Sequence, residues 1–168
     1  MNLLLKSATI IDNYSPFHLQ IKDILIENGT ITKIGEKLKN PKNYKEIKFD
    51  NLHISQGWFD SSVCFGEPGY EDRETIENGL KTASRSGFTA VAVNPNTYPA
   101  TDNKSAVKFL INKATNSATA LFPIGNLTKG SESADIAELY DMQNAGAVAF
   151  GDYNKAISNA NLLKIGLQ

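Results

Sequence analysis

The chain has 168 residues and a formal net charge of −1, with 41% hydrophobic and 21% charged residues. This balance is typical of a globular domain and gives no reason to expect a nucleic-acid or membrane partner. Because Cys64 is the only cysteine, an intramolecular disulfide is impossible. We therefore expect a reducing compartment, and in the absence of a signal-peptide pattern the cytoplasm is the predicted location.

The N-terminal part of the chain is predicted to consist of short strands separated by turns. Hydrophobic patterning predicts strands at residues 4–11, 21–27, 31–34 and 46–49. Asn28 and Gly29, which separate the second strand from the third, are typical of a two-residue hairpin turn because both tolerate positive φ.

The rest of the chain alternates between strand and helix patterns. The predicted strands are residues 54–65, 88–93, 118–124 and 147–150, and the predicted helices are residues 74–86, 104–114 and 134–144. Residues 101–103 offer capping side chains before the second helix. This alternation indicates right-handed βαβ units and a parallel sheet, which is an α/β fold.

Small residues alternate along the end of the first strand of this second part. Residues 57–69 read GWFDSSVCFGEPG, so that Asp60, Ser62 and Cys64 lie on one side of the predicted strand. A Pro-Gly turn follows. A segment of this kind is typical of the mouth of a catalytic strand.

This segment closely resembles the dihydroorotase branch of the cyclic amidohydrolases, which carries Asp-x-His-x-His-x-Arg and then x-Pro-Gly. Asp60 and the Pro-Gly pair match that pattern. The metal-binding histidines of the family fall on Ser62 and Cys64, and its substrate-binding arginine falls on Gly66.

Other motifs of the same family follow in order along the chain. Residues 87–99 read GFTAVAVNPNTYP, in which Asn96 occupies the position of a carboxylate-binding asparagine and Asn94 replaces a methionine. Residues 145–154 read AGAVAFGDYN, and Asp152 stands at the position of a metal-bridging carboxylate. Residues 69–76 also match, with Arg73 in place of the usual lysine, and we interpret them as the start of a helix.

The resemblance implies a partial (β/α)₈ TIM-type barrel, about the first four βα units, preceded by a small β-sandwich segment. The predicted boundaries are residues 1–54 for the sandwich segment and 55–168 for the N-terminal half of the barrel. A whole barrel needs roughly 250 residues, and the helical pattern at residues 159–168 has no termination signal. We therefore expect a truncated chain that pairs with a second copy or with further polypeptide.

The family hydrolyses a cyclic amide with a zinc-bound hydroxide, for which a His-x-His pair is a natural chelator. Serine is a poor substitute, and the single thiolate of Cys64 would form half a site at best. We therefore expect no metal and no catalytic residue. The leading hypothesis is a dihydroorotase-like protein of pyrimidine biosynthesis that is inactive and acts as a structural or regulatory partner, for example of aspartate transcarbamoylase.

Two other hypotheses remain open. The first is an active cyclic amidohydrolase with an atypical metal site that uses Cys64 and Asp152. The second is a non-catalytic module that binds a small ligand at Asn96. The only histidines, His18 and His53, precede the predicted strand mouth and are interpreted as structural or solvated.

Overall fold

A computed structural model describes residues 1–40 and 42–168, which divide into two compact units, Met1–Gln56 and Gly57–Gln168. Each unit contains its own sheet. Within the part of the chain that the structure describes, no helix has the length and apolar character needed to cross a membrane.

The first unit contains a five-stranded mixed sheet. Its strands are β1 (Leu3–Ile11), β2 (Ile21–Glu27), β3 (Thr30–Gly35), β4 (Lys45–Ile47) and β5 (His53–Ser55). β1 pairs antiparallel with β2 and parallel with β4 and β5, and β2 pairs antiparallel with β3. Asn28 and Gly29 have φ values of 53° and 80°, as the predicted hairpin turn requires.

Both histidines lie in this first unit and make local contacts with the backbone. The Nδ1 atom of His18 accepts a hydrogen bond from the Asp12 N–H at 3.1 Å. The Nδ1 atom of His53 lies 3.0 Å from the Asn51 carbonyl oxygen. These contacts fit the structural interpretation of both residues.

The second unit contains a parallel sheet. Its strands, in hydrogen-bonded order, are β6 (Trp58–Val63), β7 (Phe88–Val93), β8 (Ala120–Gly125) and β9 (Ala149–Phe150). The helices are α1 (Ile76–Arg85), α2 (Lys104–Lys113), α3 (Leu139–Ala145) and α4 (Ala160–Gly166). All three strand pairs are parallel, which confirms the alternation predicted from the hydrophobic pattern.

The main core of this unit lies between the sheet and helices α1 and α2. Its buried members are Phe65, Ile76, Leu80, Val91, Val93, Leu110 and Leu121. Each of the two helices begins at a side-chain cap, because Thr75 accepts from the Asn78 N–H at 3.2 Å and Asn103 from the Ala106 N–H at 3.1 Å. The predicted capping segment before α2 is therefore confirmed.

The first predicted strand of the second part, residues 54–65, is wrong as one element. Ile54 belongs to β5 and pairs with β1 in the first unit, whereas β6 begins at Trp58. Gly57 separates the two strands, and a Cβ atom there would lie 2.0 Å from the Thr89 side chain.

The predicted helix at residues 134–144 begins later, at Leu139. Ile136 instead forms an antiparallel bridge with Thr128, and the Ala137 N–H donates to the Leu127 carbonyl at 2.9 Å. The first predicted turn of this helix is therefore part of the loop that follows β8.

A buried carboxylate joins the loop after β6 to both core helices. Glu67 accepts a hydrogen bond from the Ile76 N–H at 2.8 Å, and its other oxygen lies 2.8 Å from the Lys113 Nζ. Burial alone would raise the pKa of Glu67, but the hydrogen bonds from Lys113 and Ile76 and the charge of Lys113 outweigh it. The pKa of Glu67 therefore lies below its ordinary value of 4.5.

We predict that Glu67→Gln lowers the free energy of unfolding by about 1–2 kcal/mol at pH 7, because a charged acceptor is lost. Since the folded-state pKa of Glu67 is depressed, its contribution is present above pH 4.5 and is lost as the pH falls through the folded-state pKa. Urea unfolding between pH 3 and pH 7, roughly spanning the carboxyl range, measures both effects.

Glu138→Gln is the matched control, since Glu138 is exposed and makes no side-chain cap to α3. A Glu67→Gln destabilisation that equals that of Glu138→Gln, or that does not shrink at low pH, would contradict the assignment.

Candidate functional site

The loops that follow the parallel strands meet at one edge of the second unit's sheet. Cys64 follows β6, Asn94 follows β7, Asn126 follows β8 and Asp152 lies two positions after β9. In (β/α) barrels this carboxyl-terminal edge is where ligand sites occur. The sheet therefore places the predicted site residues in the region where function is expected.

The Asn94 side chain joins the two positions where the family resemblance places metal-binding histidines. Its Nδ2 lies 3.0 Å from the Ser62 Oγ and 3.5 Å from the Cys64 Sγ. Asn94 is 6% exposed, and its backbone N–H donates to the Val63 carbonyl at 2.9 Å. One amide group thus bridges both side chains at the end of β6.

Tyr153, from the loop after β9, completes this group of polar side chains. Interaction with the nearby Cys64 thiol, together with burial, raises the pKa of Tyr153 above its ordinary value of 10.0. We call Ser62, Cys64, Asn94 and Tyr153 the strand-end cluster. Its members lie on or directly after β6 and β7 and in the loop after β9.

Asp152 uses its carboxylate to hold the loop after β8. Its Oδ1 accepts hydrogen bonds from the Leu127 and Thr128 N–H groups, each at 3.0 Å, and its Oδ2 accepts from the Thr128 hydroxyl. Asp152 is 7% exposed. Its acceptor capacity is therefore largely committed to the protein's own backbone and side chains.

Sequence reasoning missed Asn126, which is fully buried directly after β8. Its backbone N–H donates to the Thr101 carbonyl at 2.7 Å, and its Nδ2 donates to the Ser131 hydroxyl. The position of Asn126 directly after a predicted strand was the signal that could have marked it as a site residue. For Asn94, the signal was its departure from the methionine of the family pattern.

These side chains do not fit a zinc site. Zinc in proteins takes thiolate, imidazole or carboxylate donors arranged tetrahedrally, whereas Ser62 offers a hydroxyl and Asp152 is engaged with the loop after β8. Asp60, which matches the family pattern, accepts from the Ser62 N–H at 3.0 Å. Within residues 1–40 and 42–168, no three His, Cys, Asp or Glu side chains are grouped to hold a metal.

The backbone at Gly66 leaves no room for the arginine that the family carries there. Gly66 has a φ of +100°, and a Cβ atom would lie 2.9 Å from the Tyr70 carbonyl oxygen and 3.1 Å from the Tyr70 Cβ. The Tyr70 N–H donates to the Gly66 carbonyl at 2.9 Å, which closes a tight turn. Any side chain at this position would require the turn to open.

Asn96 lines a cleft of about 540 Å³ at the strand ends. Loops after all four parallel strands contribute to its walls, through Arg73, Asn96, Ser131 and Lys155 among others. The Asn96 Oδ1 is enclosed and has no hydrogen-bond partner among the described residues. Asn96, the predicted substrate-binding residue, therefore lines a cleft at the strand ends.

The parallel sheet, its helices and the cleft at the strand ends define part of a (β/α) barrel, and solved structures share this fold. The L-hydantoinase (dihydropyrimidinase) from Arthrobacter aurescens matches with a TM-score of 0.68 and 18% identity over 89% of this chain and 32% of that chain. A dihydroorotase crystal structure matches with a TM-score of 0.60 and 17% identity over 89% and 41% of the two chains. The predicted partial TIM-type barrel is confirmed.

A family model described as Dihydro-orotase-like matches residues 53–168. The dihydroorotases of Geobacter metallireducens and Pelotomaculum thermopropionicum are 34% and 37% identical to the chain, over all of it. The chain belongs to the dihydroorotase-like family, as predicted, and corresponds to an N-terminal portion of its members. It spans about 40% of the length of these curated relatives.

We predict that Asp152→Asn lowers the free energy of unfolding by about 2 kcal/mol, because hydrogen bonds to a charged acceptor are weakened. The Asn side chain would also direct an N–H group at either the loop amides or the Thr128 hydroxyl. Urea unfolding at neutral pH measures the loss. Asp135→Asn, at an exposed position in the loop that follows β8, is the control, and equal stability of the two variants would contradict the role assigned to Asp152.

Proposed function

We propose that this chain is a dihydroorotase-like protein of pyrimidine biosynthesis that has lost metal-dependent hydrolysis and acts in the cytoplasm as a structural or regulatory partner. The observation that carries this proposal is the Asn94 amide, which lies between Ser62 and Cys64. These two positions correspond to the metal-binding histidines in the family resemblance. The Asn94 side-chain amide donates to the side chains at both positions.

Hydrolysis of a cyclic amide by this family's chemistry requires a metal ion that polarises a carbonyl and activates water. The strand-end cluster offers a hydroxyl, a thiol, an amide and a phenol in place of two imidazoles. Gly66 also lacks the guanidinium that would hold a substrate carboxylate bidentately. The family's metal-binding side chains and its substrate anchor are therefore replaced together, which supports loss of the activity as a whole.

The alternative of an atypical metal site at Cys64 and Asp152 receives less support. To ligate a metal, Asp152 would have to release hydrogen bonds from Leu127 and Thr128, and the loop after β8 depends on these bonds. Cys64 would have to give up its contact with Asn94. Breaking these hydrogen bonds would cost free energy and would therefore weaken metal binding.

The exposed face of the parallel sheet supports association with another polypeptide. Phe59 and Phe122 are 58% and 39% exposed, and their ring centroids lie 6.4 Å apart. Leu121, next to Phe122, points to the opposite face and belongs to the core beneath the helices. Aspartate transcarbamoylase is the partner we propose, and a second copy of the chain is the alternative.

We predict that the protein, as isolated from zinc-supplemented growth, carries zinc well below one ion per chain by mass spectrometry and does not hydrolyse dihydroorotate. Ser62→His with Cys64→His should gain little zinc affinity while Asn94 remains. Adding Asn94→Met should raise the affinity by about tenfold or more, because a competing side chain next to the ligands is removed. Titration against a chromogenic chelator compares the variants.

Asn94→Met alone is the matched control, and it should bind no more zinc than the unaltered protein. Stoichiometric zinc in the unaltered protein that is lost in Cys64→Ala, together with zinc-dependent turnover, would overturn the proposal.

We predict that the protein and the aspartate transcarbamoylase of the same organism form one complex in sedimentation-velocity runs. Phe59→Ser with Phe122→Ser should weaken the complex, since it removes the exposed aromatic pair. Tyr14→Ser is a control, because Tyr14 is 94% exposed and lies in the other unit. Independent sedimentation of the two proteins would contradict this partner, and a shift of the protein alone would indicate self-association.

A further inference from the structure

The parallel sheet of the second unit has an open strand edge at each end. Within residues 1–40 and 42–168, β6 pairs only with β7, and β9 pairs only with β8. An edge of this kind presents backbone N–H and C=O groups that can pair with a further strand. β6 contains neither lysine nor proline, which commonly protect such edges, and its Trp58 and Phe59 side chains are 66% and 58% exposed. The β6 edge is therefore suited to the addition of a strand.

The main core of the second unit is incompletely covered beside this same edge. A groove of about 360 Å³ lies between β6 and α1. Its walls include Val63, Phe65, Ala83 and Phe88, which belong to the core or pack against it. Apolar side chains from a neighbouring polypeptide would complete the core here, because they would remove these walls from water.

The groove also has a charge that restricts what it can accept. Of the side chains described along its walls, the charged ones are Asp60 and Glu74, and both are acidic. A fitting neighbour therefore presents apolar side chains together with a cation. We call this surface the β6–α1 groove.

The helix beyond the opposite edge of the sheet has these properties. In α4, which follows β9, Leu162 is buried, and a Cβ atom at Gly166 would lie 2.8 Å from the Leu127 side chain, so this face packs on the unit. Leu163 and Leu167, one helical turn apart, are 45% and 80% exposed. Lys164 is the only charged residue of α4. The exposed side of α4 thus matches the β6–α1 groove in polarity and in charge.

The curvature of the sheet allows two copies to bring these surfaces together. The four parallel strands form a curled half-barrel. Each strand of an eight-stranded barrel occupies about 45° of the circumference, so four strands span about 180°. A twofold rotation about the barrel axis therefore places β6 of a second copy beside β9 of the first, and β9 of the second copy beside β6 of the first. Such a head-to-tail arrangement closes after two copies.

We infer that two copies of this chain associate head to tail and close one eight-stranded barrel. In this dimer, β9 of each copy pairs in parallel with β6 of the other, and α4 of each copy occupies the β6–α1 groove of the other. Lys164 then lies near Asp60 and Glu74 of the second copy. Each dimer contains two identical contacts of this kind, and both open edges of each sheet are paired.

Closure of the barrel also affects the exposed aromatic pair of the sheet. Phe59 and Phe122 lie on the face opposite the helices, which becomes the interior of the closed barrel. The second copy and the partner proposed above therefore compete for this face. Self-association does not depend on that partner, so its test uses this chain alone.

Sedimentation velocity of the chain at roughly 1–100 μM, a range that brackets a micromolar dissociation constant, tests the inference. The expected species has twice the 18.3 kDa mass of one chain. Thr82→Glu, in the groove wall, and Leu163→Glu, on α4, each add a carboxylate opposite or beside Asp60 and Glu74. Each variant should weaken the dimer at least about a hundredfold, because an unpaired charge is buried in both contacts.

A mixture of the two variants separates head-to-tail association from any other mode. In a mixed dimer, one contact contains both altered surfaces, and the other contains the unaltered groove of one copy and the unaltered α4 of the other. An equimolar mixture of Thr82→Glu and Leu163→Glu should therefore form a dimer at concentrations where each variant alone is monomeric. A dimer in which like surfaces meet, or one held only by Phe59 and Phe122, would not be restored by mixing.

Thr115→Glu and Leu19→Glu are the matched controls, since both residues are exposed and lie outside the groove and α4. Both should dimerise as the unaltered protein does. Thermal melting shows that each variant is folded, which is expected because Thr82 and Leu163 are exposed. A monomer throughout the concentration range, growth beyond the dimer, or a variant mixture that stays monomeric would each overturn the inference.

Discussion

The parallel pairing of β6, β7, β8 and β9 is the constraint on which the site depends. Parallel strands end at one edge of their sheet, so residues far apart in sequence, such as Cys64, Asn94 and Asp152, are brought to neighbouring positions. The pairing is held by the apolar side chains of β7 and by helices that return the chain to the start of each next strand. Without this parallel pairing, the polar residues that follow each strand would not lie close together.

The strand-end cluster and a metal would stabilise this edge of the sheet to different degrees. Each ordinary hydrogen bond contributes about 0.5–1.5 kcal/mol net, whereas a structural zinc ion contributes about 10 kcal/mol or more in small zinc domains. An edge that relies on Asn94 therefore needs further support from the loops around it. Glu67 supplies such support after β6 by binding Ile76 and Lys113, and Asp152 does so after β8 by binding Leu127 and Thr128.

The alternation of strands and helices could be predicted from the sequence because hydrophobic periodicity is a local property of each element. Boundaries failed where an apolar residue served a distant partner, as Ile54 does in pairing with β1 and Ile136 in bridging to Thr128. The site positions could be predicted from the family motifs, but their contacts could not. Whether Asn94 bonds to Ser62 and Cys64 depends on the register between β6 and β7, which no short segment encodes.

The turn from Gly66 to Tyr70 links the lost arginine of the family pattern to the position of Arg73. Because the Tyr70 carbonyl oxygen and Cβ fill the space where a side chain at Gly66 would begin, this turn excludes a guanidinium at that position. The same turn carries the Tyr70 ring to the place where it lies beneath Arg73. One backbone conformation therefore excludes a side chain at Gly66 and places the Tyr70 ring against the Arg73 guanidinium. An arginine at Gly66 would require this turn to open, which would also shift the ring on which Arg73 rests.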